Sequence, residues 1–248
     1  MSRYFLTLSY DGTAYHGWQT QPGASSVQET IEQALAVILR VPTSIVGAGR
    51  TDAGVHASCM VAHFDVSTDL PPDFLRRLNS LLPKDIAIQQ VRLVTDEAHA
   101  RFSATSRTYH YHIITRKDPF RRDYAHFSYS SLDVGRMNQA AELLLGTHDF
   151  TSFSKLHTDV KTNICRVTNA KWVIDDNGHL QFTITADRFL RNMVRAVVGT
   201  LLEVGRGKLS IEAIEQIMSA KDRCAAGSSV AACGLFLTHI TYPEELFP

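Results

Sequence analysis

Residues 46–57 read VGAGRTDAGVHA, three glycines enclosing an arginine, a threonine and an aspartate. Glycine opens the backbone to positive φ at an entropic cost, so this density predicts a loop held in one shape. Asp52 places a carboxylate in that loop and Arg50 a cation two residues before it. Such a carboxylate can act as a nucleophile or a general base. If partly buried, it needs a partner to stay ionised. By itself the loop is equally an Arg–Asp surface pair in a turn. Two phosphate-binding readings fail. A dinucleotide fingerprint would need glycine where Asp52 stands, and a P-loop would need lysine after Gly54, where the chain has Val55-His56.

Other residues offer partners. In DRFLRNMVRAVVG, Arg188, Arg191 (or Asn192) and Arg195 fall at i, i+3/i+4 and i+7, one face of an expected helix. Arg195 lies in an otherwise apolar stretch, where an exposed arginine is less expected than on a solvated face. In SATSRTYHYHI, Arg107, Tyr109 and Tyr111 alternate along an expected strand. The two tyrosines would share a face that bases could stack on, although sheet aromatics more often belong to the core.

The elements that must position these groups follow a repeated order. RYFLTLSY at 3–10 alternates as a strand, and Ser26 caps a helix whose stripe runs through Val27, Ile31, Leu35 and Ile38. SIVGAG and HASCMVAHFDV read as strands around the glycine loop, DFLRRLNSLL as a helix closed by Pro83, and IAIQQVRLV as a strand. The order then recurs. SRTYHYHIIT is a strand and LDVGRMNQAAELLLG a helix ending at Gly146. ICRVTNAKWVI and LQFTITAD form a hairpin about DDNG. RFLRNMVRAVVGTLLEVG and SIEAIEQIMS are helices, and GLFLTHITY is the last strand. Two β-α-β-β-α-β halves, 1–105 and 106–248, point to an α+β fold with antiparallel sheets. Helices would cover one side and leave the other for a ligand.

Composition sets the class. The 248 residues are 44% hydrophobic and 20% charged, ordinary for a globular protein, and no apolar run approaches a membrane span. The N-terminus shows no signal-peptide pattern. Cys59, Cys165, Cys224 and Cys233 form no CxxC pair, which fits free thiols in a reducing cytoplasm. Eleven histidines include no HExxH and no clustered His/Cys ligand spacing, so no metal is expected. Net charge is zero, but Arg76-Arg77, Arg116-Lys117, Arg121-Arg122, Arg206/Lys208 and Lys221/Arg223 are local basic clusters.

GRTDAGVHA resembles the catalytic motif of the TruA family of tRNA pseudouridine synthases, and the resemblance runs along nearly the whole chain. YDGTAYHGWQTQP, HARFSATSRTYHY, GTHDFTSF, FLRNMVRAVVGTLLEVG and GLFLTHITYP are similar to the family's further motifs, in order. The resemblance implies that the two halves join in one mixed sheet, with an RNA cleft between them. It implies a cofactor-free, homodimeric enzyme that isomerises uridine to pseudouridine at positions 38 to 40 of the tRNA anticodon stem-loop. It makes Asp52 the catalytic aspartate and Arg195 its countercharge. Arg50 would extrude the target base, Tyr109 would stack on the uracil, and Leu235 would line the pocket. The rival readings are a non-catalytic RNA-binding module, which leaves the carboxylate in its glycine loop unexplained, and a metal-dependent hydrolase, which lacks its ligands.

Overall fold

The computed structural model describes residues 1–155 and 161–248. From the amino end run β1 (Ser2–Tyr10), α1 (Val27–Leu39), β2 (Val46–Gly47), β3 (His56–Val66), α2 (Phe74–Leu81) and β4 (Ile86–Val94). There follow β5 (Ser106–Ile114), β6 (His126–Phe127), α3 (Val134–Glu142), β7 (Gly146–Asp149), β8 (Ile164–Ile174) and β9 (Leu180–Ala186). α4 (Met193–Gly205), α5 (Ala213–Ala220) and β10 (Leu235–Thr241) complete the chain. The architecture is α+β, mixed sheet with helices.

The chain divides into two compact units, Met1–Thr105 with Phe236–Pro248, and Ser106–Leu235. Residues 236–248, expected with the second half, are counted with the first. The reason is pairing: Phe236 and Leu237 lie parallel to His56 and Ala57 of β3. Thr105 N–H donates to Thr241 O, and the Tyr242 hydroxyl to Ala100 O.

In the first unit the strand order is β4-β1-β3-β10, with β2 also on β3. β1 is antiparallel to both neighbours, Leu6 facing Ala62 on β3 and Val91 on β4. Ser26 caps α1 as expected, accepting from Glu29 N–H, and Val27, Ile31, Leu35 and Ile38 are buried. Leu6, Leu8, Met60 and Phe64 complete that core.

The second unit orders its strands β5-β9-β8-β7, with β6 parallel to β5. β9 alternates buried and half-exposed residues along its length, as a sheet with one covered face requires. Trp172 and Phe182 stack at 4.8 Å inside it. α4 is buried on nearly every side, from Met193 to Gly205.

Both units use the same device on a strand. On α2, the Asn79 amide donates to Ile88 O and accepts from Ile88 N–H, each at 2.8 Å. On α3, Asn138 does the same for Trp172, at 3.1 and 2.7 Å. Each asparagine satisfies a backbone pair that would otherwise lack partners, while tying helix to strand.

Three expected elements differ. α4 starts at Met193 and not at Arg188, because Asn192 sits at φ 65° and its amide donates to Ser229 Oγ at 2.6 Å. A left-handed residue cannot be continued as α-helix, so Arg188 and Arg191 fall outside the helix and share no face with Arg195. α3 ends at Glu142, and Gly146 opens β7 at φ 104°. The strand expected at 44–49 shrinks to Val46–Gly47.

Candidate active site

The loop carrying Arg50 and Asp52 is built by backbone pressed against backbone. Residues 11–18, directly after β1, run beneath it. A Cβ on Gly12 would stand 2.0 Å from Val55 O, and one on Gly17 2.2 Å from Thr51 O. Gly17 also holds φ 91°, a conformation that other residues rarely adopt. Trp18 N–H reaches Thr51 O at 3.4 Å, and Gly54 N–H reaches Tyr15 O at 3.3 Å. The Tyr10 and Thr51 hydroxyls share a hydrogen bond of 2.9 Å.

Side chains lock the ends. Gly47 packs so tightly on the Trp18 indole that a Cβ would lie 2.5 Å from it, and Trp18 itself is buried. Val55 N–H closes a turn onto Asp52 O at 3.1 Å, with Gly54 at φ 74°. Gly49 has open space around it, so two of the loop's three glycines are required by geometry and the third is not. Burial and the Asp85 carboxylate, 2.8 Å from its hydroxyl, push Tyr15 well above the usual phenol range.

His56, at the start of β3, is buried. Its Nδ1 accepts Gly12 N–H at 3.1 Å and its ring stacks on Phe236 at 4.5 Å. Asp11 Oδ1 also lies 3.1 Å from Nδ1. His56 and Cys59 lie on β3. Among the described residues no group of three or more His, Cys, Asp or Glu could hold a metal.

The result is a half-buried Asp52 and an exposed Arg50 on a loop with little freedom. A fixed carboxylate beside solvent can attack a carbon centre or remove a proton.

The other predicted site residues belong to the second unit. Tyr109, on β5 opposite Ile184, is half-buried and meets Phe189 edge-on at 5.1 Å. Tyr111, expected to share a stacking face with it, is instead fully buried and donates its hydroxyl to Ala231 O at 2.9 Å. It is core, and burial raises its pKa.

Arg195 occupies the first turn of α4. Its Nε donates to Val230 O at 2.8 Å while Val230 N–H donates to Arg195 O at 3.2 Å. The strap that holds it, residues 226–230, lies hard against α4. A Cβ on Gly199 would meet Ser228 O at 1.8 Å, and Gly227 N–H donates to Thr200 Oγ1 at 2.9 Å. Arg223 braces the strap from outside through Ala226 O, Gly227 O and Ser229 Oγ. Leu235 is buried at the start of β10. Of the basic clusters, Arg206 and Lys208 converge on Glu203, at 2.7 and 3.2 Å.

A family model described as tRNA pseudouridine synthase matches residues 7–103 and 140–243. The chain belongs to the tRNA pseudouridine synthase family, and its activity is pseudouridine synthesis on tRNA. Within the family it is similar to tRNA pseudouridine synthase A of Bacteroides thetaiotaomicron, 56% identical over 250 residues covering 100% of this chain and 93% of that one. It is also similar to tRNA pseudouridine synthase A of Porphyromonas gingivalis, 55% identical with both chains covered in full. The Bacillus subtilis protein of that name is 45% identical, over 95% of this chain and 97% of its own.

Proposed function

We propose that this enzyme isomerises uridine at positions 38, 39 and 40 in the anticodon stem-loop of tRNAs, with Asp52 as the catalytic carboxylate. The observation that carries the reading is the Asp52 loop. It is held by backbone contacts too close for any side chain, within a chain that matches family A relatives from end to end. The reaction breaks the N1–C1′ glycosidic bond, turns the uracil and joins C5 to C1′. Its atoms balance without oxidant, reductant or group donor, so the proposal includes no cofactor.

In this reading Asp52 attacks the sugar or the uracil, or removes a sugar proton. Arg195 serves as its countercharge. Arg50 fills the space of the extruded nucleotide, whose removal from the stack costs a few kcal/mol. Tyr109 stacks on the uracil and Leu235 lines the pocket. The enzyme works as a cytoplasmic homodimer with tRNA spanning both copies.

The test is incubation of purified protein with unmodified tRNA, without metal or nucleotide, followed by carbodiimide-dependent primer extension. Stops confined to positions 38–40 support the reading. Pseudouridine only elsewhere in the tRNA would overturn the site assignment while leaving the activity.

A further inference from the structure

The turn after β5 reads TRKDPFRRDY, residues 115–124, and places four cations, Arg116, Lys117, Arg121 and Arg122, around one phenylalanine. Phe120 is 90% exposed, although burying such a ring is strongly favourable. The turn presenting it is ordered. Asp118 Oδ1 accepts Phe120 N–H at 2.9 Å, Asp118 O accepts Arg121 N–H at 3.2 Å, and Arg121 O accepts Tyr124 N–H at 3.0 Å. A second ring lies at the same end of β5. Ser128 N–H donates to Ile114 O, and one residue further Tyr129 is 87% exposed. Tyr129 and Arg116 border an open groove of about 560 Å³. Asp175 and Asp176 also line it, which keeps phosphate off that side.

A single exposed apolar ring is ordinary. Two rings beside four exposed cations form the combination that single-stranded nucleic acid requires, stacking surfaces interleaved with phosphate partners. The two acidic groups on the turn do not cancel this. In the Arg121–Asp118 and Arg122–Asp123 pairs, at 3.7 and 3.1 Å, both arginines and Asp123 are exposed and Asp118 is half-buried; pairs so open to water are worth little, so either guanidinium can turn to a phosphate. A second copy of the chain is the poorer occupant. An isologous contact centred here would set this basic turn against its own copy.

We propose that residues 115–124 with Tyr129 form a second RNA contact of the enzyme, in which the cations hold phosphates and Phe120 stacks on an unpaired base of the tRNA. The inference rests on the tRNA reading above. Arg116 follows Tyr109 by seven residues, and at about 3.3 Å per strand residue the turn stands roughly 20 Å from that uracil-stacking position. Its contribution is therefore to affinity and not to chemistry.

The test uses full-length protein and unmodified tRNA, with wild type, Phe120→Ala, Phe120→Trp and the double variant Lys117→Gln/Arg122→Gln. The Ala variant weakens binding by about 5- to 150-fold, the range of one lost base stack, with the single-turnover rate at saturating enzyme unchanged. The Trp variant restores affinity. The double variant lowers the slope of log affinity against log salt by about 1.4 to 1.8. Unchanged affinity in the Ala variant overturns the proposal, as does a saturating rate that falls in step with affinity. Dissociation of the Ala variant into a smaller species by sedimentation overturns it too, and makes the turn a contact between copies. A wild type that binds tRNA without forming pseudouridine sinks the functional reading, while the binding contrast between variants still decides this one.

Discussion

Gly17 and Thr51 meet where no side chain fits: the Cα hydrogen of Gly17 points at Thr51 O, and a methyl group there would lie 2.2 Å from that oxygen. The carbonyl belongs to the residue before Asp52, so the loop of Asp52 takes its height from a glycine 35 positions earlier in the chain.

Gly17→Ala therefore displaces the loop and strains the backbone at φ 91°. We expect turnover to fall at least about tenfold and stability by about 1–3 kcal/mol. Gly49→Ala, with open space around it, should cost under about 1 kcal/mol. Urea denaturation and single-turnover rates on the pair test this, and equal losses at both positions would contradict the packing argument.

Asp52→Asn keeps the side chain's shape and removes its charge. Isomerisation should drop below about one per cent of wild type, since losing a group central to the chemistry costs orders of magnitude. Affinity for tRNA should stay within a few-fold. Substantial residual turnover would move the catalytic role to another residue.

Arg195 and Arg50 should separate by pH. Arg195→Ala removes the proposed countercharge, and the acidic limb of the pH–rate profile should move upward. Arg195→Lys keeps the charge but cannot reproduce the Nε bond to Val230 O, so it should lower the rate with little movement of the limb. Arg50→Ala should slow turnover without moving the limb, and should recover in part on targets whose base is unpaired. Movement of the limb in Arg50→Ala but not in Arg195→Ala would reverse the two roles.

Acid should destabilise the protein through His63 and His112 before its carboxylates titrate. Burial, with His99 and Arg3 nearby, lowers His63 to about 4, and burial, with His110 and Arg121 nearby, lowers His112 to about 4. His63 Nδ1 accepts Ala100 N–H at 3.1 Å and cannot also carry a proton there. As pH falls below about 6.5 the unfolded chain binds protons that the folded chain refuses. Stability should thus be full above pH 7, fall steadily between about 6.5 and 4, and flatten for these groups below. Urea midpoints at pH 7.5, 5.5 and 4.5 check this, and a flat profile across that window would remove the histidines as the cause.

Much of this was legible in the residues. Period-two and helical spacing located β1, α1 and the β8–β9 hairpin because each has one apolar face and clear turn chemistry. Glycine density marked the loop of Asp52. What the pattern could not show is a contact between distant backbones. Gly12 and Gly17 look like ordinary turn glycines until Val55 and Thr51 are seen against them. The helical spacing of Arg188, Arg191 and Arg195 misled because a single residue, Asn192, takes a left-handed turn stabilised by Ser229, 37 positions away. Tyr109 and Tyr111 have the same parity on β5, and the alternation gives no sign that Tyr111 alone is fully buried with its hydroxyl on Ala231 O.

The placement of residues 236–248 has a consequence for synthesis on the ribosome. Ser106–Leu235 is contiguous, so that unit can complete its contacts as soon as it emerges. The first unit is interrupted by it and waits for the last strand to pair with His56 and Ala57. Until then the His56–Ala57 end of β3, beyond the stretch that β2 pairs, is an open edge that can recruit foreign strands. Messages truncated just before codon 236 would therefore yield aggregates, with the emptied edge directly beside the loop of Asp52.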